Sequence, residues 1–409
     1  MALSHVVIIN DSSRARGGAT GLAVLGALGL RERGLQVTFV CGDGGDVPEL
    51  EAQGVEVIAA GSGRLLQRSR GHAMRRGIYD PEMRGFVEDA VRRTDGPGTV
   101  YHLHGWAQIL SPSVFDALAP VAGKTVVHAH DMFLACPNGV YMDYRRNETC
   151  PRVPLSAACL LTNCDKRSYG HKLWRSLRQR ALFRAFGGGR GWGRILAIHP
   201  GMVPRLARAG YTSPPLSVLR NPATPFSDER VQAERNRSLV YVGRLEADKG
   251  VTDLARAASR VGAELVFVGD GVLRDRLEAE FPGIRITGWL SRAEIGQWVS
   301  QARSLVMPSH HPEPFALVLA EAAASGLPVA VAKTALMAEE IVAAGLGVAF
   351  DVFDTGDFDA ALRRLVDMNE TDAEAMSRRG WSGEIRLALT RSEWLDQLVE
   401  SYDTVLSQD

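Results

Sequence analysis

The chain has 409 residues and a mass of 44.3 kDa, more than one hydrophobic core usually fills, so its length predicts two domains. Hydrophobic residues make up 45% and charged residues 23%, with 42 glycines and 19 prolines, which excludes collagen-like, coiled-coil and wholly disordered chains. The formal net charge is zero, yet residues 1–218 carry 27 basic against 17 acidic side chains and residues 219–409 carry 20 against 30. A basic first half favours phosphate-bearing or anionic partners. Attraction between the domains, or solubility, is the plainer explanation.

The N-terminus shows no signal peptide, because no basic residues precede its first apolar run. The longest apolar stretches, residues 22–30 and 315–332, are too short to span a bilayer or are interrupted by Glu321. We therefore expect a cytoplasmic protein, and contact with the inner face of the membrane stays open.

The first half alternates strand and helix patterns. A β-branched run at residues 5–10, a glycine-rich turn and a helical segment ending at Gly34 predict strand, loop and helix. Further strands are predicted at 35–41, 55–59, 100–104, 124–130 and 194–199. Strands that alternate with helices indicate a parallel sheet covered on both faces, so residues 1–218 are predicted to form a doubly wound, Rossmann-like α/β domain.

The second half repeats this pattern. Strands are predicted at 238–242, 264–268, 284–287, 303–306 and 328–331, which gives a second Rossmann-like domain over 219–389. Four prolines within residues 214–225 place the boundary there. The last segment, 390–409, has amphipathic spacing at Trp394, Leu398 and Val405, so we expect a helix that packs back on the first domain.

A candidate anion site follows the first strand of the second domain. Gly243 and Arg244 end that strand, and Lys249 comes five residues later. Ligands of open α/β sheets bind at the carboxyl ends of the strands, so two cations there predict an anionic ligand. Two unrelated surface cations are the alternative.

A second candidate lies in HPEPFALVLAEAAASGLP. Pro314 favours a helix start that includes Phe315 and Ala316, and helix-start amides bind phosphate. Glu313 and Glu321 are spaced to lie on one helical face two turns apart, so they contact different parts of one long ligand. Carboxylates beside a phosphate suit a ligand that also offers hydroxyl groups, such as a sugar or ribose.

In order and spacing, GRLEADKG, FVGDGVLRDRLE, ITGWLS and MPSHHPEPFALVLAEAAASGLPVAVA resemble the C-terminal half of the retaining glycosyltransferases of family 4. The similarity is strong over residues 239–352 and loose in the first half. It implies the α/β GT-B fold, in which two Rossmann-like doubly wound domains face a central cleft. The first domain then faces the acceptor and the second binds the nucleotide sugar.

The resemblance also implies roles for individual residues. Arg244 and Lys249, beside Gly243, hold the donor diphosphate, and the amides of Phe315 and Ala316 cradle phosphate. Glu313 contacts the donor sugar, and Glu321 contacts the ribose hydroxyls. Two departures affect the donor-sugar side: Ala316 stands where members often have glycine, and residues 333–338 replace a glycine-rich turn.

In the first domain the resemblance places Gly17 and Gly18 beside the donor phosphate and the acceptor. The string GGATGLA also resembles the loop of short-chain dehydrogenases, although no Tyr-x-x-x-Lys pair accompanies it. His104 is implied near the donor sugar and the reaction centre, and a purely structural histidine is the alternative. His130 and Asp131 are expected to line the acceptor cleft.

Four of the five cysteines, Cys136, Cys150, Cys159 and Cys164, lie within 29 residues. In a cytoplasmic protein such a cluster favours a metal over disulfides. The spacings of 13, 8 and 4 intervening residues match no standard zinc motif. A structural zinc ion, an iron–sulfur centre, reduced thiols and disulfides all stay open.

Residues 166–194 hold nine cations, no acid and interleaved apolar residues. This composition suits an anionic membrane surface or a phosphorylated acceptor, and an exposed helix with one buried stripe explains it equally well. Nucleic acid is not expected, because the second domain already accounts for a nucleotide ligand.

Taken with the resemblance, these patterns predict transfer of a glycosyl group from a nucleoside-diphosphate sugar to a hydroxyl acceptor, with retention at the anomeric carbon. The acceptor can be anionic or lipid-linked, as in glycan, glycolipid or polysaccharide assembly. No cofactor is expected for catalysis, because Arg244 and Lys249 supply the positive charge. A sugar-nucleotide epimerase of the same fold and a non-catalytic sugar-nucleotide-binding protein are the alternatives.

Overall fold

The computed structural model describes residues 2–14, 17–67, 69–211 and 216–408. The chain divides into two compact units. Unit 1 comprises residues 1–220 and 392–409, and unit 2 comprises residues 221–391. Pro214 and Pro215, two of the four prolines used to place the boundary, lie outside the described residues.

Unit 1 is built on strands that alternate with helices. Its strands are β1 (His5–Asn10), β2 (Gln36–Cys41), β3 (Glu56–Ala59), β4 (Thr99–Leu103), β5 (Thr125–Ala129), β6 (Met142–Asp143), β7 (Glu148–Thr149), β8 (Arg194–Ala197) and β9 (Leu216–Val218). Its helices are α1 (Gly18–Glu32), α2 (Pro48–Ala52), α3 (Arg70–Arg76), α4 (Pro81–Thr94), α5 (Ser113–Leu118), α6 (Ala157–Leu161), α7 (Tyr169–Phe186), α8 (Val203–Arg208) and the C-terminal helix, Arg391–Leu406.

The main sheet of unit 1 has the order β3-β2-β1-β4-β5-β8-β9, and all its strand pairs are parallel. Every residue of β1, β4 and β5 is buried, as expected for strands covered on both faces. The order reverses between β1 and β4, so the carboxyl ends of these strands flank the switch point where such sheets bind ligands.

The C-terminal helix packs on unit 1, as its spacing predicts. Trp394, Leu398 and Tyr402 are all fully buried. The Trp394 ring occupies the space above Gly26 of α1, where a Cβ atom would lie 3.3 Å from it. The Arg33 guanidinium donates a 2.6 Å hydrogen bond to Asp396.

Unit 2 repeats the architecture. Its strands are β10 (Ser238–Val242), β11 (Leu265–Val268), β12 (Arg285–Ile286), β13 (Ala302–Met307), β14 (Val329–Ala332) and β15 (Gly347–Phe350). Its helices are α9 (Val251–Val261), α10 (Arg274–Glu280), α11 (Arg292–Ser300), α12 (Leu317–Ala324), α13 (Ala338–Ala343), α14 (Thr355–Val366) and α15 (Glu370–Trp381); with these included, the C-terminal helix is α16.

The sheet of unit 2 is parallel, in the order β12-β11-β10-β13-β14-β15. This is the Rossmann order, with the switch point between β10 and β13. Aliphatic and aromatic side chains of the central strands and of α9 and α14 form its core. The prediction of two doubly wound α/β domains is therefore confirmed.

Several elements differ from the predicted ones. β9, β15 and the β6-β7 hairpin were not predicted. β9 is three residues long and half-exposed, and β6 and β7 have two residues each. The strands β6, β7 and β9 are therefore too short to show a periodic pattern in the sequence. β4 and β5 end one residue before His104 and His130, because the polar residues that follow belong to loops.

Candidate functional site

The carboxyl end of β10 is shaped by close backbone contacts. Gly243 has φ +153 and Gly269, after β11, has φ +148, values that side chains with a Cβ rarely adopt. A Cβ atom on Gly269 would lie 1.9 Å from the Gly243 carbonyl oxygen. The two loops therefore touch through their backbones.

Lys249 lies in a 3-10 turn, Ala247–Lys249, directly before α9. Gly250, which follows, has φ +69, and a Cβ atom there would lie 1.9 Å from the Pro308 carbonyl oxygen. This contact holds the turn against the loop after β13. The ammonium group of Lys249 thereby reaches Glu313 of that loop and forms an ion pair with Oε1.

Glu313 is held by three side chains. Besides Lys249, Ser309 Oγ donates a 2.9 Å hydrogen bond to Oε1, and His311 Nε2 lies 3.2 Å from the same oxygen. Burial on its own raises the pKa of this carboxyl, but the Lys249 charge and the His311 hydrogen bond outweigh it and hold the pKa well below its usual range. Glu313 is therefore a carboxylate at neutral pH. Sequence reasoning missed Ser309 and His311, although both precede Glu313 in the quoted motif.

The predicted helix start is wrong by three residues. Glu313, Pro314 and Phe315 lie in the loop, Ala316 is the N-cap, and α12 begins at Leu317. The contacts of Glu313 hold the loop close to Lys249, and the helix therefore begins later in the sequence. Glu313 and Glu321 therefore do not share a helical face. Phe315 and Ala316 are both 7% exposed.

The amides at the start of α12 remain a candidate phosphate site, since the first amides of a helix have no partner within it. They follow β13 on the same edge of the sheet as Lys249. Lysine ammonium groups and helix-start amides both bind phosphate groups.

Glu321 lies on α12 and pairs with a residue that sequence reasoning missed. Arg292 Nη1, at the start of α11, lies 2.7 Å from Glu321 Oε1, and the guanidinium stacks 5.1 Å above the Phe226 ring. Burial raises the pKa of Glu321 and Arg292 partly opposes the rise. No sequence motif links α11 to α12, so only the fold could reveal this pair.

Arg244 is the most open of the predicted residues. Its side chain is 56% exposed and its Nη1 lies 2.5 Å from Glu246 Oε1. Its carbonyl oxygen accepts a 2.8 Å hydrogen bond from the buried Tyr241 hydroxyl, which fixes the backbone while the guanidinium stays in solvent.

Residues 333–338, which replace a glycine-rich turn, support the Glu313 loop. The Leu336 amide donates a 3.0 Å hydrogen bond to the Glu313 carbonyl oxygen. The Thr334 hydroxyl donates a 2.7 Å hydrogen bond to the Ser309 carbonyl oxygen. The replacement therefore braces the segment that carries the buried carboxylate.

In unit 1, Gly17 is the N-cap of α1 and Gly18 is its first residue, and both are exposed. A Cβ atom on Gly17 would meet nothing within 4 Å, so its own surroundings do not require glycine. The open space is compatible with a ligand at this helix start.

His104 belongs to a histidine patch that we define as His102, His104, His128 and His130. His102 lies in β4 and His128 in the neighbouring strand β5, and His104 and His130 follow two residues later, just past the strand ends, so all four lie on the same side of the sheet. His104 Nδ1 lies 2.9 Å from His130 Nε2, His102 Nε2 lies 3.1 Å from His128 Nδ1, and the Tyr402 hydroxyl lies 2.6 Å from His102 Nδ1.

Burial is the main reason why all four histidine pKa values are lowered, and in three of them neighbouring histidines lower them further. The pKa of His130 falls to about 3. Nitrogen atoms of His102, His104 and His128 lie within 4.8 Å of one another. The patch is therefore neutral at pH 7, and His104, 5% exposed, is part of a buried network.

The cysteine cluster, Cys136, Cys150, Cys159 and Cys164, is buried in unit 1, and all four thiols are free. Burial raises the pKa of Cys136 to about 12, so this thiol is protonated at neutral pH unless a cation binds it. Lys172 on α7 lies fully buried beside the cluster, with Nζ 3.2 Å from Cys159 Sγ.

Residues 236–368 match the family model described as Glycosyl transferases group 1. The chain is 33% identical over 160 residues to glycogen synthase of Mycobacterium tuberculosis, covering 36% of this chain and 37% of that protein. It is 33% identical over 171 residues to the GDP-mannose-dependent alpha-mannosyltransferase of Mycolicibacterium smegmatis, covering 41% and 43%. Each match thus spans less than half of the relative.

Among solved structures, sucrose-phosphate synthase of Thermosynechococcus elongatus superposes with a TM-score of 0.72 at 14% sequence identity, covering 99% of this chain and 100% of that one. The chain therefore has the GT-B fold. Residues 236–368, which lie in unit 2, are similar to the group 1 glycosyltransferases. No helix in the described ranges is both long and apolar enough to cross a membrane.

Proposed function

We propose that the protein is a retaining glycosyltransferase that moves a sugar from a nucleoside-diphosphate sugar to a hydroxyl acceptor. The observation that carries the proposal is the partly buried ion pair between Lys249 and Glu313. It lies where β10 and β13 end, in the loop that leads to the first amides of α12. The match of residues 236–368 to the group 1 glycosyltransferase family supports it.

The reaction needs stabilisation of the diphosphate as it leaves the sugar. Lys249, Arg244 and the amides before α12 supply fixed positive charge and hydrogen-bond donors, and such electrostatic stabilisation is usually a large part of catalysis. Glu313 positions the Lys249 ammonium group in the free enzyme through their ion pair. On binding we expect Lys249 to turn towards phosphate and Glu313 to accept hydrogen bonds from sugar hydroxyl groups.

Glu321 is suited to the nucleoside. It pairs with Arg292 and is mostly buried, with a side chain 17% exposed, and a carboxylate can accept hydrogen bonds from both ribose hydroxyls. In unit 1 we assign the acceptor side to Gly17, Gly18 and His104. The leaving phosphate itself is the proposed acceptor of the hydroxyl proton.

The exposed face of α7 supports an anionic or lipid-linked acceptor. Tyr169, Leu173 and Leu177 recur every four residues and are 37%, 42% and 55% exposed, and Arg180 and Arg184 are exposed on the same helix. Apolar side chains flanked by arginines suit an anionic membrane surface. We therefore propose peripheral contact through α7.

The test has two readouts, nucleotide affinity and acceptor-dependent product. Lys249→Ala is expected to weaken binding of the nucleoside diphosphate by more than tenfold, about 1.4 kcal/mol, measured by calorimetry. Arg276→Ala is the matched control, because Arg276 is exposed and pairs with Glu280 on α10. Equal affinity in both variants contradicts the assigned site.

Product formation separates the alternatives. A transferase forms product only when an acceptor is present, whereas an epimerase converts the donor without one. Glu313→Gln, which keeps the shape and removes the charge, is expected to abolish transfer while the protein stays folded. Nucleotide binding without turnover under any acceptor indicates a binding protein instead.

A further inference from the structure

The cysteine cluster lies in a long connection with little regular structure. Between β5 and α7 the chain forms only the two-residue strands β6 and β7 and the five-residue α6. Irregular connections of this length are uncommon in compact domains. Yet all four cysteines are buried, with 4–6% exposure, so this connection folds inward around its sulfur atoms.

Two side chains connect the sulfur atoms. The Asn138 amide lies 3.1 Å from Cys136 Sγ through Oδ1 and 3.8 Å from Cys164 Sγ through Nδ2. Lys172 Nζ is hydrogen-bonded to Cys159 Sγ at 3.2 Å. Cys150 and Cys164 both flank the β6-β7 hairpin, because the Cys150 amide donates a 2.7 Å hydrogen bond to the Tyr141 carbonyl oxygen and the Tyr144 amide donates a 3.4 Å hydrogen bond to the Cys164 carbonyl oxygen. All four cysteines therefore converge on one region.

Hydrogen-bond donors lie beside three of the four sulfur atoms. Cys150 accepts a hydrogen bond from Arg152 Nη1 at 3.6 Å, Cys164 accepts one from Asn138 Nδ2 at 3.8 Å, and Cys159 accepts one from Lys172. The Cys136 thiol donates to Asn138 Oδ1 at 3.1 Å. Donors of this kind usually surround the sulfur ligands of a metal.

The burial of Lys172 is a second, independent observation that points to negative charge at the cluster. Its side chain is fully buried, and within the described ranges its ammonium group bonds sulfur and forms no ion pair with a carboxylate within 4.0 Å. A buried ammonium needs negative charge beside it. Thiolates of the cluster are the groups placed to provide that charge.

We propose that the four cysteines bind one Zn²⁺ as a closed structural site. On binding, the four thiols release four protons to solvent, four Zn–S bonds form, and the site carries a charge of 2−. Lys172 and Arg152 then donate hydrogen bonds to the thiolates and offset this charge, the role that groups around metal ligands usually have. Four sulfur ligands around a single ion match tetrahedral zinc.

Zinc binding must draw the sulfur atoms together. No three of the four lie within 4.8 Å of one another, whereas Zn–S bonds of about 2.3 Å place tetrahedral sulfurs about 3.8 Å apart. The sulfur atoms must therefore approach one another by an ångström or more. The connection between β5 and α7 has no long helices or strands that would resist this movement. We infer that the ion fixes the conformation of this connection.

The experiment measures metal in the full chain, purified without a histidine tag and dialysed against metal-free buffer. We expect one zinc per chain by mass spectrometry of the elements. Replacement by Co²⁺ is expected to give the charge-transfer and visible bands of tetrahedral cobalt thiolate. Because these readouts use the parent chain, they decide the proposal even if a cysteine variant fails to fold.

Variants locate the ion. Cys159→Ser is expected to lose the zinc, whereas Cys41→Ser, which changes a buried cysteine outside the cluster, is expected to retain it. His128→Asn tests the histidine patch, the other group with nitrogen atoms close enough to bind an ion, and is also expected to retain zinc. A metal-free parent chain, iron with labile sulfide, or zinc lost only from His128→Asn overturns the proposal.

Discussion

Acidification is expected to destabilise unit 1 through the histidine patch. The four imidazoles have lowered pKa values in the folded chain, whereas a histidine in an unfolded chain has a pKa of about 6.5. Below that pH the unfolded state binds more protons than the folded one, so stability falls as the pH falls. The loss starts near the unfolded pKa and continues towards the folded values.

The magnitude follows from the number of imidazoles that stay neutral. Between pH 7.5 and 5.5, each one costs about 1.4 kcal/mol of folding free energy, so four cost about 5.5 kcal/mol. Asp131 opposes this, because desolvation raises the pKa of its carboxyl to about 6, and it restores about 1 kcal/mol of stability. A net loss of about 4.5 kcal/mol is large beside the usual stability of about 5–15 kcal/mol.

Hydrogen exchange in peptides from β4 and β5, corrected for intrinsic rates at each pH, measures this loss within unit 1. His128→Asn should weaken the pH dependence by about a quarter, the share of one imidazole in four. His171→Gln, on the exposed side of α7, is the matched control and should leave the dependence unchanged. An opening free energy that differs by less than about 1 kcal/mol between pH 7.5 and 5.5 refutes the reasoning.

Two further predictions test local features. Gly250→Ala should destabilise unit 2 by at least about 2 kcal/mol more than Gly262→Ala. Both glycines have positive φ, but only Gly250 has a backbone oxygen where the added Cβ atom would lie. Urea denaturation measures the difference, and comparable midpoints for the two variants contradict the prediction. Leu173→Gln with Leu177→Gln should lower sedimentation with anionic vesicles several-fold. Val272→Gln, an 87% exposed apolar site in unit 2, should not change sedimentation, and an equal loss there contradicts contact through α7.

The sequence predicted the two sheets well because their central strands are continuous apolar runs. β10 lies at residues 238–242, as predicted, and the C-terminal helix begins at Arg391. Short elements were not predicted, because β9 and the β6-β7 hairpin contain too few residues to give a periodic hydrophobic pattern.

The candidate site was predictable only in part. Motif order drew attention to Lys249 and Glu313, and the fold brings them into contact. The Arg292 pairing with Glu321 joins residues 29 apart in sequence, so no local pattern could show it. Lys172 was counted among exposed cations, yet it is buried, because its partners come from an irregular connection that has no periodicity.

The most direct test of the central claim is a thermal-shift screen of the purified chain with UDP, GDP, ADP, dTDP, their common sugars and NAD, with Glu321→Ala alongside. The account predicts that one nucleoside diphosphate stabilises the parent chain and that the variant loses the shift. Stabilisation by NAD alone, or by none of these ligands, contradicts a donor site at Lys249, Glu313 and Glu321.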